Sequence, residues 1–347
     1  MKIENNFYDL FTQLRDAKRP FVFYRLPGTN SLKLIQQNDA KQYTTASLTE
    51  NGFVFAPFEH TTQFTYIPNH KVSQVAIPAS KARVNLLRAI ETAAQKAYYN
   101  DLVANAIKAI RKGAIQKVVV SRLHNQEFKQ NIADSFVRLL NAYPNAMVYY
   151  WSHPKTGTWM GATPETLLNL KAGKCKTMAL AGTLPYKGNM PPKWSSKELV
   201  EQQMVTRFIK QQLEVLYPNN NILPSSTYTK RAGNLLHLCA DFEFEVNDVS
   251  LLDLVQLLHP TPAVLGVPAD KSLEFINAFE KHQRKYYAGF LGPINKASAH
   301  VYVNLRCASI EKTQLTLFVG GGITAESNIT AEWEESQRKA ETLLNVI

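Results

Sequence analysis

Hydrophobic and polar positions alternate in short runs over residues 1 to about 75. Phe21-Val22-Phe23-Tyr24 and Gly52-Phe53-Val54-Phe55 read as strands with turn signals between them, and Pro78 closes the region. The period then changes. Leu86, Leu87, Ile90, Ala93, Ala94, Ala97, Val103, Ile107 and Ile110 recur at helical spacing, which predicts a long helix over 81–112 with Gly113 at its end. Lys117-Val118-Val119-Val120-Ser121-Arg122 follows as a buried strand. A helix over 133–142 stops near Pro144. Strands over 147–152 and 158–162 flank the turn Pro154-Lys155-Thr156-Gly157, and 167–171 with 176–180 form a hairpin about Ala172-Gly173. The polar stretch 186–193 reads as a mobile loop before a helix over 195–216, with Ser195 or Ser196 as its N-cap. The last third alternates helix and strand and ends in a helix over 330–346.

Strands thus come in pairs rather than in strict strand–helix–strand alternation, and the expected class is α+β, with large packed β-sheets flanked by helices. Gly320-Gly321-Gly322 follows a strand over 315–319. It is not a G-x-G-x-x-G opening a helix, so a dinucleotide-binding fold is disfavoured. No repeat at a fixed period is present.

With 347 residues and 45% hydrophobic composition, the chain can bury more than one simple small core. The net charge of +11 raises nucleic acid, a membrane surface or a small polyanion as partners. Its basic residues are scattered singly or in pairs, as at Lys18-Arg19 and Lys230-Arg231. That favours a solvated basic surface, leaves a small anionic substrate open, and gives no reason to expect nucleic acid. No window approaches the ~18–20 apolar residues of a membrane span. The opening Met-Lys-Ile-Glu-Asn-Asn lacks a signal-peptide core, so a cytoplasmic location is expected. Cys175, Cys239 and Cys307 lie far apart without metal-ligand spacing, and read as free thiols buried in strands.

Several positions could carry chemistry. Glu198 and Glu201 are i and i+3 on one predicted helix, Glu332 and Glu335 on another, with Lys339 a turn later. Two such carboxylate pairs suit a hard divalent cation, although acidic pairs are more often solvated faces. Lys117 opens a strand of three valines. Its end either snorkels to water or, in a closed cleft, becomes a base through desolvation. Glu165 follows the small-residue turn Gly161-Ala162-Thr163-Pro164, where a pocket would raise its pKa and make it an acid. Leu258-His259-Pro260-Thr261-Pro262-Ala263 is a stiffened loop, and Gly320-Gly321-Gly322 could lay backbone N–H groups against a carboxylate.

Taken in order, KVVVSR, GATPETLL, MALAGTLP, KELVEQ, LHPTPAVLG, YYAGFLG, LRCASI, GGGIT and EWEESQRKAE resemble the chorismate-utilising enzymes. These are the isochorismate and salicylate synthases and the large subunits of anthranilate and aminodeoxychorismate synthases. The resemblance runs from about residue 80 to the C-terminus. It implies a chorismate-binding catalytic region over 79–347 and a variable N-terminal part over 1–78. The two would form one intertwined domain with the anthranilate/aminodeoxychorismate synthase-like fold, expected as a monomer. The implied cofactor is Mg2+, with Glu201 and Glu335 as direct ligands and Glu198 and Glu332 as partners through water. Lys339 and Arg306 would hold substrate carboxylate, with Tyr287, Gly320, Gly321 and Gly322 nearby. His237 would lie close to the ring, and Thr183 on the substrate-lining loop.

The resemblance also assigns Lys117 as the base that selects water over ammonia and Glu165 as the acid that protonates the departing C4 hydroxyl. Ala263 stands where salicylate synthases and amine-forming members usually carry threonine, which favours an isochorismate synthase of the menaquinone or siderophore type over a salicylate synthase. Two departures stand out: Gln202 replaces a usual histidine, and Ser327-Asn328-Ile329-Thr330 replaces a usual serine-aspartate-proline stretch.

Overall fold

The computed structural model describes residues 3–4, 6–59, 61–80, 91–128, 131–188, 191–246 and 249–347. Two large, mostly antiparallel sheets organise them. In the first, ten strands run in the order Ile3–Glu4, Lys71–Val75, Leu32–Gln36, Phe21–Arg25, Met147–His153, Gly157–Thr163, Cys307–Glu311, Gln314–Ile323, Lys117–Glu127, Gly266–Val267. In the second, nine strands run Tyr228–Ala232, Leu235–Glu245, Lys174–Pro185, Thr166–Lys171, Ser298–Val303, Phe290–Asn295, Gly52–Ala56, Phe64–Pro68, Tyr43–Thr45. The N-terminal 78 residues contribute strands to both sheets, so their chain is woven into the same layers as the rest.

Period-2 alternation decides which core each side chain joins. Val22, Tyr24, Met147, Tyr149 and Trp151 point between the sheets, while Phe21, Phe23, Val148 and Tyr150 point to the outer face of the first. Between the sheets Phe55 packs on Trp151 with centroids 4.9 Å apart and stacks on Tyr286 at 4.3 Å. Phe55 is fully buried, which is worth roughly 1.5–3 kcal/mol of transfer free energy. Helices Phe7–Asp16 and Ile132–Ala142 and the end of Ile329–Leu344 cover the outer face through Phe7, Phe11, Phe136, Leu140, Leu343 and Leu344. Helix Ser196–Leu216 packs on strand Lys174–Pro185, and helix Ala93–Arg111 on the last helix and strand Lys117–Glu127.

The expected helix over 81–112 is shorter at its described end. It starts at Ala93, because Thr92 and Gln95 close a reciprocal capping box that leaves Glu91 outside. Residues 81–90, with Leu86, Leu87 and Ile90, lie outside the described residues. Gly113 follows the helix at φ +86°, a backbone position that favours glycine. The strand read over 117–122 continues to Glu127, and the one over 176–180 extends to 174–185, because long antiparallel partners hold their polar ends. The three cysteines are free and buried, each in a strand. Among the described residues no helix is long and apolar enough to cross a membrane.

Candidate active site

A cleft opens between the sheets. Its floor is the paired strands of Val119 and Gly320–Gly322; its opposite wall is Leu180–Thr183 and His237; and Glu165, Ala263, Tyr287, Arg306, Glu201 and Lys339 complete it. These residues come from segments spread between Val119 and Lys339, and the long-range strand pairing brings them together. Lys117 lies just behind this lining. It is fully buried, with Nζ 3.0 Å from Glu201 Oε1.

The glycine run has a steric cause. A Cβ on Gly322 would overlap the Glu201 carboxylate and stand 2.8 Å from Lys117 Cε. One on Gly320 would overlap the Val120 carbonyl and come within 3.0 Å of the Tyr287 hydroxyl. Gly321 faces the other way, where its Cβ would be 3.2 Å from Glu332 Oε2 and 3.7 Å from Glu335 Oε1. The bare backbone therefore lets three carboxylates approach one strand end.

Each of these carboxylates holds a lysine. Glu201 pairs with Lys117, Glu335 with Lys339 at 2.7 Å, and Glu332 with Lys197. Lys339 Nζ also donates to the Gly320 carbonyl at 2.8 Å. Burial alone would raise Glu335, but the Lys339 and Lys197 ammoniums hold it well below the usual carboxylate range. Glu332 goes the other way, raised by burial and by Glu335 next to it. Glu198 is placed differently from the other three acids. Its carboxylate accepts from the Ser195 N–H at 3.1 Å and from the Ser195 hydroxyl, closing the helix capping box.

Among the described residues no group of three or more His, Cys, Asp or Glu side chains stands close enough to hold a metal in this arrangement. The donor chemistry nevertheless fits a hard divalent cation. The available groups are oxygen-only, they converge on the Gly321–Gly322 backbone, and Glu332 Oε2 is buried without a hydrogen-bond partner among the described residues. Gln202, at the departure from the usual histidine, is buried and donates to Thr206 Oγ1 at 2.7 Å. Asn328 caps the last helix by accepting from the Ala331 N–H.

The anion-facing side is cationic. Arg306 is buried and held at φ +49°, with Nη1 donating to Thr342 Oγ1 at 3.2 Å and Nη2 standing 3.2 Å from His237 Nε2. His237 Nδ1 lies 2.8 Å from the Gly182 carbonyl. These two contacts define a neutral imidazole, with Nδ1–H donating and Nε2 accepting from Arg306. Burial, reinforced by Arg306, lowers its pKa to about 3. Thr183 Oγ1 sits 3.5 Å from the same ring. Glu165 is 3% exposed. Burial lifts its carboxyl to about 7 against the pull of Lys117, Lys230, Lys339 and Arg306. The cleft thus pairs a protonatable acid with a buried lysine and a basic anion seat.

The family described as chorismate binding enzyme matches residues 31–347. The chain belongs to that family. Among curated relatives, isochorismate synthase EntC of Escherichia coli K12 is 30% identical over 262 residues, covering 72% of this chain and 66% of EntC. Isochorismate synthase MenF of Haemophilus influenzae is 27% identical over 270 residues, 74% of this chain and 62% of that protein. The matched part is thus just under two thirds of either relative's length. Among solved structures, a putative 2,3-dihydroxybenzoate-specific isochorismate synthase, DhbC, from Bacillus anthracis superposes with TM-score 0.80 at 21% identity, covering 97% of this chain and 99% of that one. Anthranilate synthase component I of Streptococcus pneumoniae superposes with TM-score 0.71 at 15% identity, covering 94% and 92%. The fold is therefore the α+β sandwich shared by isochorismate and anthranilate synthases.

Within this member of the family, the structure adds residues that the sequence patterns did not single out. Lys197 is the main one. It stands i, i+4 to Glu201 and adjacent to Glu198, so its place on the acidic helix face was available from spacing. Burial would lower its ammonium, but Glu335, Glu332 and Glu201 together raise it. Ser327 is the second, donating to Glu332 Oε1 at 2.7 Å.

Proposed function

We propose that this chain is an isochorismate synthase that replaces the C4 hydroxyl of chorismate by one at C2, taken from water, in the presence of Mg2+. The observation that carries the reading is the pair of buried groups with opposite tasks. Glu165 has its pKa raised to about 7 at the cleft wall, and Lys117 is fully buried at the end of the opposing strand. A site that must deliver one proton and remove another needs an acid kept protonated and a base kept from water.

The dianionic substrate enters a basic cleft. Arg306 and Lys339 receive carboxylate, Tyr287 and the Gly320–Gly322 backbone shape the seat, and neutral His237 with Thr183 lines the ring side. Lys117, as the base, takes a proton from water as the water oxygen bonds to C2. The ring double bonds shift, the C4–O bond breaks, and Glu165 gives its proton to the departing hydroxyl. The atoms balance as one hydroxyl gained and one lost. Glu201 and Glu335 would hold Mg2+ directly, with Glu332 and Glu198 behind them. When bound, the ion would fix the ring carboxylate and offset negative charge in the transition state.

Lys117 supports water over ammonia as nucleophile. Ala263 supports stopping at isochorismate, because it leaves the loop wall without a hydroxyl. The product would feed menaquinone or catechol siderophore assembly in the cytoplasm. Incubation with chorismate and Mg2+, followed by a coupled pyruvate assay, tests the reading. Isochorismate without pyruvate is expected; rapid pyruvate release without added lyase would make the chain a salicylate synthase.

A further inference from the structure

The strand that carries Lys117 is an edge with an incomplete neighbour. Gly266–Val267 pairs only with Lys117 and Val118, and the Leu265 carbonyl then accepts from the Val119 N–H at 2.9 Å. Beyond that point no strand continues along this edge among the described residues, so the Val119 carbonyl and the Ser121 N–H need other partners. Two side chains supply them. Arg284 Nη2 donates to the Val119 carbonyl at 2.7 Å, and Glu280 Oε1 accepts from the Ser121 N–H at 2.7 Å. The two are ion-paired through Arg284 Nε and Nη2, at 3.0 and 2.6 Å, and the guanidinium lies 4.6 Å from the Phe58 ring centroid. The same guanidinium reaches the substrate-facing loop, with Nη1 donating to the Val264 carbonyl at 2.9 Å.

We propose that Glu280 and Arg284 are a positioning pair: their side chains stand in for the missing strand and fix the loop of Ala263 and Val264 to the strand of Lys117. Neither residue touches the cleft's reacting groups; Arg284 acts through Val119 and Val264, which line it, and Glu280 acts through Ser121 and by holding Arg284. The geometry needs a planar fork. One guanidinium serves a carboxylate and two carbonyls on different segments, which a lysine ammonium cannot reproduce from one point. The catalytic consequence rests on the isochorismate synthase reading; the mechanical one does not.

Arg284→Met and Arg284→Lys test it in the full chain, beside Leu139→Ala as a destabilised control from the outer core. Hydrogen exchange is followed over 117–121 and 260–265, and kcat and KM are measured on folded protein. Arg284→Met should speed exchange about tenfold in both segments together. It should also lower kcat up to about 100-fold with a smaller change in KM, because misplacement rather than lost binding is the defect. Arg284→Lys should fall between Met and wild type, and it carries the test alone if the Met variant does not fold. Faster exchange confined to 280–285, or a kcat matching Leu139→Ala, overturns the proposal. If wild type makes no isochorismate the functional reading fails, and the exchange result still decides the positioning role.

Discussion

Replacing Glu165 by glutamine should make the protein more stable at alkaline pH while disabling it. The carboxyl is raised from 4.5 to about 7 by burial, so the folded state binds the proton more tightly than the unfolded chain does. Stability from this group is therefore fully present below about 4.5, and it falls as pH rises through about 7. At ~1.4 kcal/mol per pH unit of displacement, the folded chain forfeits about 3 kcal/mol by pH 8 and under about 1 kcal/mol at pH 5. Glutamine keeps the shape and cannot ionise. Urea unfolding of both proteins from pH 5 to pH 8 should give near-equal stabilities at the acid end, with the variant ahead by about 2–3 kcal/mol at pH 8. Turnover should drop by ~10²–10⁴-fold, the usual contribution of a positioned general acid. In the wild type, kcat/KM should lose activity as pH passes about 7 in the free enzyme. A stability difference that does not change with pH, or a variant that is weaker at pH 8, would refute the claim that this carboxyl is buried at a cost for chemistry.

Other consequences concern the base, the glycines and the metal. Lys117→Met should keep the fold by circular dichroism and lose measurable turnover; a variant that retains full activity would remove Lys117 from the mechanism. Gly322→Ala should cost at least ~10²-fold in kcat/KM, since its Cβ meets both Glu201 and Lys117, and isothermal titration should show weakened Mg2+ binding. Chelation should abolish turnover, and added Mg2+ should restore it. Glu335→Gln should weaken that restoration more than Glu198→Gln, because Glu198 is committed to Ser195. Equal effects of the two would contradict this ranking.

The parts of this site that were legible in sequence are those set by local geometry. Lys117 stood out because a charged residue opened a run of valines, and Glu332 with Glu335 because helical spacing puts them on one face. The same spacing grouped Glu198 with Glu201, yet the structure gives Glu198 to the helix cap. That signal was present too: Ser195 and Glu198 form the Ser-x-x-Glu pattern of a capping box. Strand faces were readable where alternation was clean, as at Phe21 to Tyr24. Strand order was not. Arg306 meets His237 only because Cys307–Glu311 and Leu235–Glu245 belong to two sheets that close over the same cleft. The Glu335–Lys339 pair follows from i,i+4 spacing on one helix, but Lys117 with Glu201 and Lys197 with Glu332 were hidden, since each joins separate elements that only folding brings together.

The central claim is a hydroxyl shift on chorismate, and product analysis tests it most directly. Purified protein incubated with chorismate and Mg2+ should yield isochorismate as the sole new species by chromatography, approaching an equilibrium mixture that is also reached from isochorismate. Chorismate left unchanged under these conditions, or its conversion to salicylate and pyruvate, would contradict the account.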